Sequence, residues 1–233
     1  MIRRLEHIID PERLLLAWQP SDTGSKHRMR RVVGCLEKGP AGPVFRYLKD
    51  SEDFRAAQKA GFEGYPAFRI DAPKDHEGAI ESFLRRVPPR KREDFGEYLE
   101  QHRLPDPFPY SDMALLGYTG AKLPSDSFSL IPDFSPDTVP CDLLLEVAGV
   151  RHCTEDIASL HLGDPVDLVP DPKNAFDSDA IAVRHQGKRI GYVNRVLRGV
   201  FQRWLRERKV EASIERRNGK PERPMVYLLV RVR

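Results

Sequence analysis

The C-terminal part of the chain is interpreted from the segment Asp171-Pro-Lys-Asn-Ala-Phe-Asp-Ser-Asp-Ala-Ile-Ala-Val183 and from Ile190-Gly-Tyr-Val-Asn-Arg195, which follows it. The first segment begins with Asp, Asn and Pro, which favour turns, and it ends in an apolar run. Gln186-Gly-Lys188 lies between the two segments and is typical of a hairpin turn. We therefore predict a polar loop that leads into hairpin strands at 179–184 and 189–193.

The residues on both sides of this hairpin continue the two-residue period of strands. Further strand-like segments lie at 143–148, 165–169 and 225–232. One helix interrupts them, because six apolar residues between 195 and 209 form a stripe on a helical wheel, with Asn194 as the predicted N-cap. Short antiparallel strands with one packed helix predict a small, partly open β-barrel over 141–233.

The first 136 residues have a different organisation. Short apolar segments predict a meander of strands at 14–18, 31–36 and 44–48. Helices are predicted from the N-cap Ser51 to Gly61, over 80–87 and over 93–102. Fifteen of the 20 prolines precede Cys141, and turn-forming residues place a domain boundary near 134–140. The prediction is an α+β protein with two domains, a mixed strand-and-helix domain over 1–136 and the barrel over 141–233.

Charge is distributed unevenly along the chain. The net charge is +3, but residues 184–233 carry 15 Lys and Arg against 4 Asp and Glu, whereas residues 141–183 carry 2 against 9. A strongly cationic segment suits a polyanion such as nucleic acid, and it also occurs as a solvated charged face. Both interpretations remain open from composition alone.

Several classes of protein are excluded or disfavoured by the sequence. No apolar run approaches the ~18 residues that a membrane span needs, so a transmembrane protein is excluded. Acidic residues and a proline interrupt the N-terminal segment before any signal-peptide core, and we expect a cytoplasmic protein. The three cysteines lack CxxC spacing, which argues against a disulfide framework or a structural zinc site. No cofactor is predicted.

The loop and hairpin motifs resemble those of the HIRAN domain. Ala148-Gly-Val-Arg-His152 and Gly163-Asp-Pro-Val-Asp-Leu168 precede them in the order of the family pattern, and the resemblance covers about 141–233. It implies an OB-like or SH3-like barrel that captures the 3′-hydroxyl end of single-stranded DNA.

The resemblance also implies which residues bind the nucleic acid. By motif position these are Arg151, His152, Asn174, Phe176, Asp177, Tyr192, Asn194, Arg195 and Arg198. Phe176 offers a stacking surface for a base, and Asp177 offers an acceptor for a terminal hydroxyl. Arg151 and Arg195 offer cations for phosphate, and the helix N-terminus at Asn194 adds backbone donors. His152 stands where the family has an aromatic ring.

Other interpretations of these residues stay open. Asn174 and Asp177 are also typical of Asx turns that cap a loop, and Phe176 also suits a core position that anchors it. A metal site at Asp171, Asp177 and Asp179 would serve calcium or phosphodiester hydrolysis, but the glycine and distal Glu of an EF-hand loop are lacking. The ATPase, zincin and esterase motifs are absent, so we predict a protein that is not an enzyme and holds no metal.

The N-terminal part is similar to the N-terminal region of HipA-type toxin kinases. The similarity rests on the order of Val33-Gly-Cys-Leu36, Val44-Phe-Arg-Tyr-Leu48, Asp112–Gly120 and Phe128–Pro132. In those toxins this region contacts a protein partner, so the resemblance implies a protein partner and no kinase activity; a scaffold without a ligand remains the alternative.

The leading hypothesis is a non-catalytic DNA-binding protein that holds single-strand ends or damaged or stalled DNA structures. The alternatives are an interaction protein related to toxin–antitoxin systems and a metal-dependent nuclease.

Overall fold

A computed structural model describes residues 4–20, 29–73, 75–123, 126–153, 157, 159–220 and 223–233. The chain divides into two compact units. Residues 10–133 form the N-terminal unit, and residues 134–233 form the C-terminal unit together with the described part of residues 1–9. The division after residue 133 lies beside the predicted boundary, whereas the grouping of residues 4–9 differs from the predicted domain over 1–136.

The N-terminal unit contains one antiparallel sheet in the order β3-β2-β1-β4. The strands are β1 (Arg13–Trp18), β2 (Arg31–Glu37), β3 (Val44–Tyr47) and β4 (Phe128–Pro132). The helices are α1 (Glu52–Lys59), α2 (Ile80–Leu84), α3 (Phe95–Gln101) and α4 (Asp112–Thr119). The predicted N-cap is confirmed, because the Ser51 hydroxyl accepts from the Phe54 N–H at 3.0 Å. Helix α2 ends before the predicted residue 87, since Val87 N–H closes a turn onto Leu84.

The C-terminal unit contains two three-stranded antiparallel sheets, in the orders β5-β10-β9 and β6-β7-β8. The first three strands are β5 (Cys141–Glu146), β6 (Asp167–Pro170) and β7 (Ile181–His185). The other elements are β8 (Lys188–Tyr192), helix α5 (Arg198–Glu207), β9 (Val210–Lys220) and β10 (Arg223–Val232).

Short bridges join the two sheets at both edges. Ala148 and Tyr192 exchange two backbone hydrogen bonds of 2.8 and 2.9 Å, which connect the end of β5 to β8. At the other edge, Val166 N–H donates to Ala212 of β9 at 3.0 Å. The six strands therefore surround a core as a partly open barrel, and the predicted α+β class is confirmed.

Helix α5 buries Phe201 and Trp204 of its apolar stripe. The predicted cap is confirmed, because the Asn194 side chain accepts from the Val196 N–H at 3.1 Å. The first turn, Arg195–Leu197, is a 3-10 turn, so the α-helix begins three residues later than predicted. None of the described helices has the length and apolar content that a membrane crossing requires.

A buried carboxylate binds residues 4–9 to the rest of the C-terminal unit. Asp142 on β5 has no exposed side-chain surface, and it accepts from the backbone N–H groups of Glu6 at 2.9 Å and His7 at 3.1 Å. The guanidinium of Arg233 lies 2.7 Å from the other carboxylate oxygen. Asp142 therefore connects three distant parts of the sequence.

Candidate nucleic-acid interface

Side chains of the loop between β6 and β7 fix its backbone. The Asn174 side-chain oxygen accepts from the N–H groups of Phe176 at 2.9 Å and Asp177 at 3.1 Å. One oxygen of Asp177 accepts from the Asp179 N–H at 3.1 Å. These are the Asx-type caps that the sequence allowed, and they hold the loop in one conformation.

Two side chains in the first two turns of helix α5 bind this loop. Arg198 pairs with the second oxygen of Asp177 and lies 3.9 Å from the Asp179 carboxylate. Gln202, which was not predicted as a site residue, donates to the Asp179 carbonyl at 3.2 Å. Asp177 thus already has a backbone donor and a cation, but a carboxylate accepts about four hydrogen bonds and has room for a further donor.

Phe176 lies on the same loop and is 73% exposed. The alternative of a core residue is therefore wrong. Fully burying a ring of this kind contributes about 1.5–3 kcal/mol, which the fold does not gain here. The loop instead presents an aromatic face to solvent beside Asp177.

Tyr192 at the end of β8 forms hydrogen bonds both to the loop and to Arg189. Its hydroxyl accepts from Arg189 at 2.7 Å and donates to Asp171 at 3.2 Å, and the Arg189 guanidinium lies 5.1 Å from the ring centre. Burial raises the pKa of Tyr192, Arg189 opposes that shift, and Asp171 adds to it, so the pKa is raised and the hydroxyl stays protonated. The site therefore includes Arg189.

The sequence did not predict Arg189 as a site residue, because regular strand alternation places residues 189 and 192 on opposite faces. The β7–β8 ladder has a register shift between Val183 and Arg184, where Ile190 is the extra residue on β8. Such a bulge reverses the alternation, so Arg189 and Tyr192 reach the same side. No local signal in the sequence marks this shift.

The remaining predicted residues lie around Tyr192. Arg151 and His152 are exposed on a short 3-10 turn, where the Arg151 Nε donates to the imidazole at 3.2 Å. A Cβ atom on Gly149, which begins that turn, would lie 3.8 Å from the Tyr192 ring. Arg195 is half-buried at the start of the turn that Asn194 caps.

The acidic residues of the loop face donors rather than one another. Asp171 bonds to Tyr192, and Asp177 pairs with Arg198. Within the residues that the structure describes, the side chains close enough to share a metal ion are Glu6, His7 and Asp142, and Arg233 already occupies that carboxylate.

Gly191 permits the close contact between β8 and the end of β5. Its φ is +151°, and an added Cβ would lie 2.5 Å from the Val147 side chain and 2.6 Å from the Ala148 carbonyl oxygen. We expect Gly191→Ala to lower the free energy of unfolding of the C-terminal unit by about 1–3 kcal/mol, because overpacking costs that much.

Urea unfolding in a Trp18→Phe background measures this loss, because Trp204 is then the remaining tryptophan. Gly199→Ala on α5 is the matched control: an added methyl group there meets open space, and alanine favours the helix, so stability should stay equal or rise. Equal stabilities of the Gly191 variant and the parent would contradict the close contact between β8 and the end of β5.

Comparisons with known proteins agree with the motifs. Residues 142–232 match the family model of the HIRAN domain. The crystal structure of the HIRAN domain of human HLTF is similar at 21% sequence identity, covering 39% of this chain and 74% of that chain with a TM-score of 0.32. No curated protein matches the chain. The match to the family model confirms, over residues 142–232, the resemblance to the HIRAN domain that the loop and hairpin motifs predicted.

Proposed function

We propose that the HIRAN domain of this chain holds the free end of single-stranded DNA and catalyses no reaction. The family match over residues 142–232 supports DNA as the ligand. The observation that carries the proposal is the exposed Phe176 ring on a loop whose backbone is fixed by Asn174 and Asp177. Such a ring is already positioned for stacking, so little conformational entropy is lost when a base binds.

The groups around the ring suit the other parts of a terminal nucleotide. Asp177 accepts a hydrogen bond from the terminal hydroxyl while it keeps its pair with Arg198. Arg151, Arg189 and Arg195 supply positive charge for phosphates. The paired acidic residues of the loop repel a continuous phosphate backbone, which favours a chain end at this position.

The proposal predicts end-dependent binding, which fluorescence anisotropy measures with labelled single strands. A strand with a free 3′-hydroxyl should bind more tightly than one blocked at both ends. Affinity should fall as salt rises, because Lys and Arg contacts release counterions. Equal binding of blocked and free strands would contradict end capture.

Phe176→Ala should weaken binding by about 1–3 kcal/mol, the contribution of one base stacked on a ring, with no change in the salt slope. Leu162→Ala is the matched control, because Leu162 is a similarly exposed apolar side chain at 70%. Both variants should unfold like the parent. Equal affinity of the Phe176 and Leu162 variants would overturn the stacking role.

A further inference from the structure

Strands β9 and β10 continue beyond the barrel as a two-stranded ribbon. The ladder between β10 and β5 ends at the pair Tyr227–Glu146. Beyond this point Arg217–Lys220 of β9 pair only with Arg223–Val226 of β10 within the sheet, and the β9 part is exposed. The strand β9 was not predicted from the sequence, and neither was this ribbon.

The register of the ribbon places one set of side chains on a common face. Arg216 pairs with Tyr227, and Asn218 pairs with Met225. Since alternate residues share a face, Lys220 lies on this face as well. The guanidinium of Arg216 lies 4.5 Å from the centre of the Tyr227 ring, in a cation–π contact.

The opposite face of the ribbon is directed toward the body of the domain. It carries the pair Arg217–Val226, in which Val226 is fully buried. The Arg217 guanidinium donates to the carbonyl of Ile157 at 2.8 Å. The face with Arg216, Asn218, Lys220, Met225 and Tyr227 is therefore directed outward, and we call it the outer face of the ribbon.

This outer face is continuous with the surface that carries Tyr192. Leu145 faces the core, so its neighbour Glu146 and the paired Tyr227 face outward. Ala148 lies two residues further on the same side, and it bridges to Tyr192. One strand spacing is about 5 Å, so the ribbon begins within a few strand widths of the candidate site. The surface between the ribbon and Tyr192 also carries the carboxylate of Glu146, at the edge of the ribbon.

We infer that the outer face of the ribbon is a second part of the nucleic-acid interface, which binds the strand leading away from the captured end. This inference rests on the proposed function. Arg216 and Lys220 provide two cations for phosphates, and the guanidinium plane supported by Tyr227 provides a stacking surface. Cations together with an aromatic ring on one exposed face fit a single-stranded nucleic acid better than an acidic peptide, which has no bases to stack.

The experiment compares strands of two lengths, about four and about sixteen nucleotides, which span the usual site sizes of such domains. The parent should bind the long strand more tightly. The variant R216Q/K220Q should lose about tenfold in affinity for the long strand, and its salt slope should flatten by about 1.4, since two phosphate contacts are removed. Its affinity for the short strand should not change.

Two further variants separate this effect from general charge and from misfolding. R206Q/K209Q removes the same charge, and Lys209 directly precedes β9, at the end opposite Lys220, so long-strand binding should equal that of the parent. Lys220→Gln alone changes one exposed side chain, which leaves the fold intact, and it should flatten the salt slope by about 0.7.

The outcomes distinguish the ribbon from the end site. If the parent binds neither strand, the proposed function is wrong. If the parent binds both and R216Q/K220Q binds both equally well, the ribbon inference is overturned. A loss of the same size in R206Q/K209Q, or on the short strand, also overturns it, because the effect then belongs to net charge or to the end site.

Discussion

Replacing Trp204 with alanine is expected to lower the free energy of unfolding of the C-terminal unit by about 3–5 kcal/mol, the range for large aromatic truncations in a core. Trp204 on α5 is fully buried. Its ring lies 5.3 Å from the ring centre of Phe201 and 5.7 Å from that of Phe134, and its indole N–H donates to the Pro136 carbonyl at 3.1 Å. The substitution removes these contacts together and leaves a cavity.

Urea unfolding followed by far-UV circular dichroism measures this effect, and Trp18 fluorescence follows the N-terminal unit separately. Trp204→Phe keeps most of the volume and loses the hydrogen bond, so about 1 kcal/mol is expected from that loss. Arg206→Ala on the exposed side of α5 should change stability by less than about 0.5 kcal/mol. A Trp204→Ala loss as small as the Arg206→Ala loss would show that α5 contributes nothing to the core.

Asp142→Ala is the second substitution with a large expected effect, about 3 kcal/mol on the C-terminal unit. It leaves Arg233 without its carboxylate and two backbone N–H groups, those of Glu6 and His7, without their acceptor. Breaking a buried pair from one side costs about 3–5 kcal/mol. The value is placed at the lower end because the Arg233 side chain is about one-third exposed.

The same carboxylate makes stability depend on pH. Burial alone raises the pKa of Asp142, but hydrogen bonds from Arg233, Glu6 and His7 outweigh it and lower the pKa below its ordinary value of 3.8. Because the folded pKa is the lower one, the stabilisation is complete above pH 3.8 and is lost as the pH falls through the folded pKa.

Asp142→Asn should therefore flatten the loss of stability in acid, as measured by Trp204 fluorescence in a Trp18→Phe background. Asp167→Asn, at an exposed position on β6, is the control and should keep the acid dependence of the parent. An Asp142→Asn protein with the parent's acid dependence would contradict the ionised state of this carboxylate.

The parts of the fold that the sequence predicted are those with local causes. The caps Ser51, Asn174 and Asn194 each bond to a backbone N–H two or three residues away, so the residue type and its neighbours are sufficient to identify them. The loop of the candidate site was predictable for the same reason.

The parts that were missed depend on contacts between distant residues. Strand β9 has apolar residues only in its first half, because its second half pairs with β10 away from the core. The role of Arg189 depends on a bulge, which is visible only in the ladder with β7. The backbone hydrogen bonds that Glu6 and His7 donate to Asp142 carry no signature of residue type, and the buried Leu5 and Ile8 do not reveal in the sequence which unit they belong to.

The Asp142 contact also has a consequence for folding during synthesis. Glu6 emerges from the ribosome 136 residues before the carboxylate that accepts its N–H. By contrast, the N-terminal unit is complete when Asp133 pairs with Arg13, through a side-chain hydrogen bond of 2.7 Å. Since domains fold as units while the chain is made, the unit over 10–133 forms first, and the segment that precedes it waits for β5 before it docks.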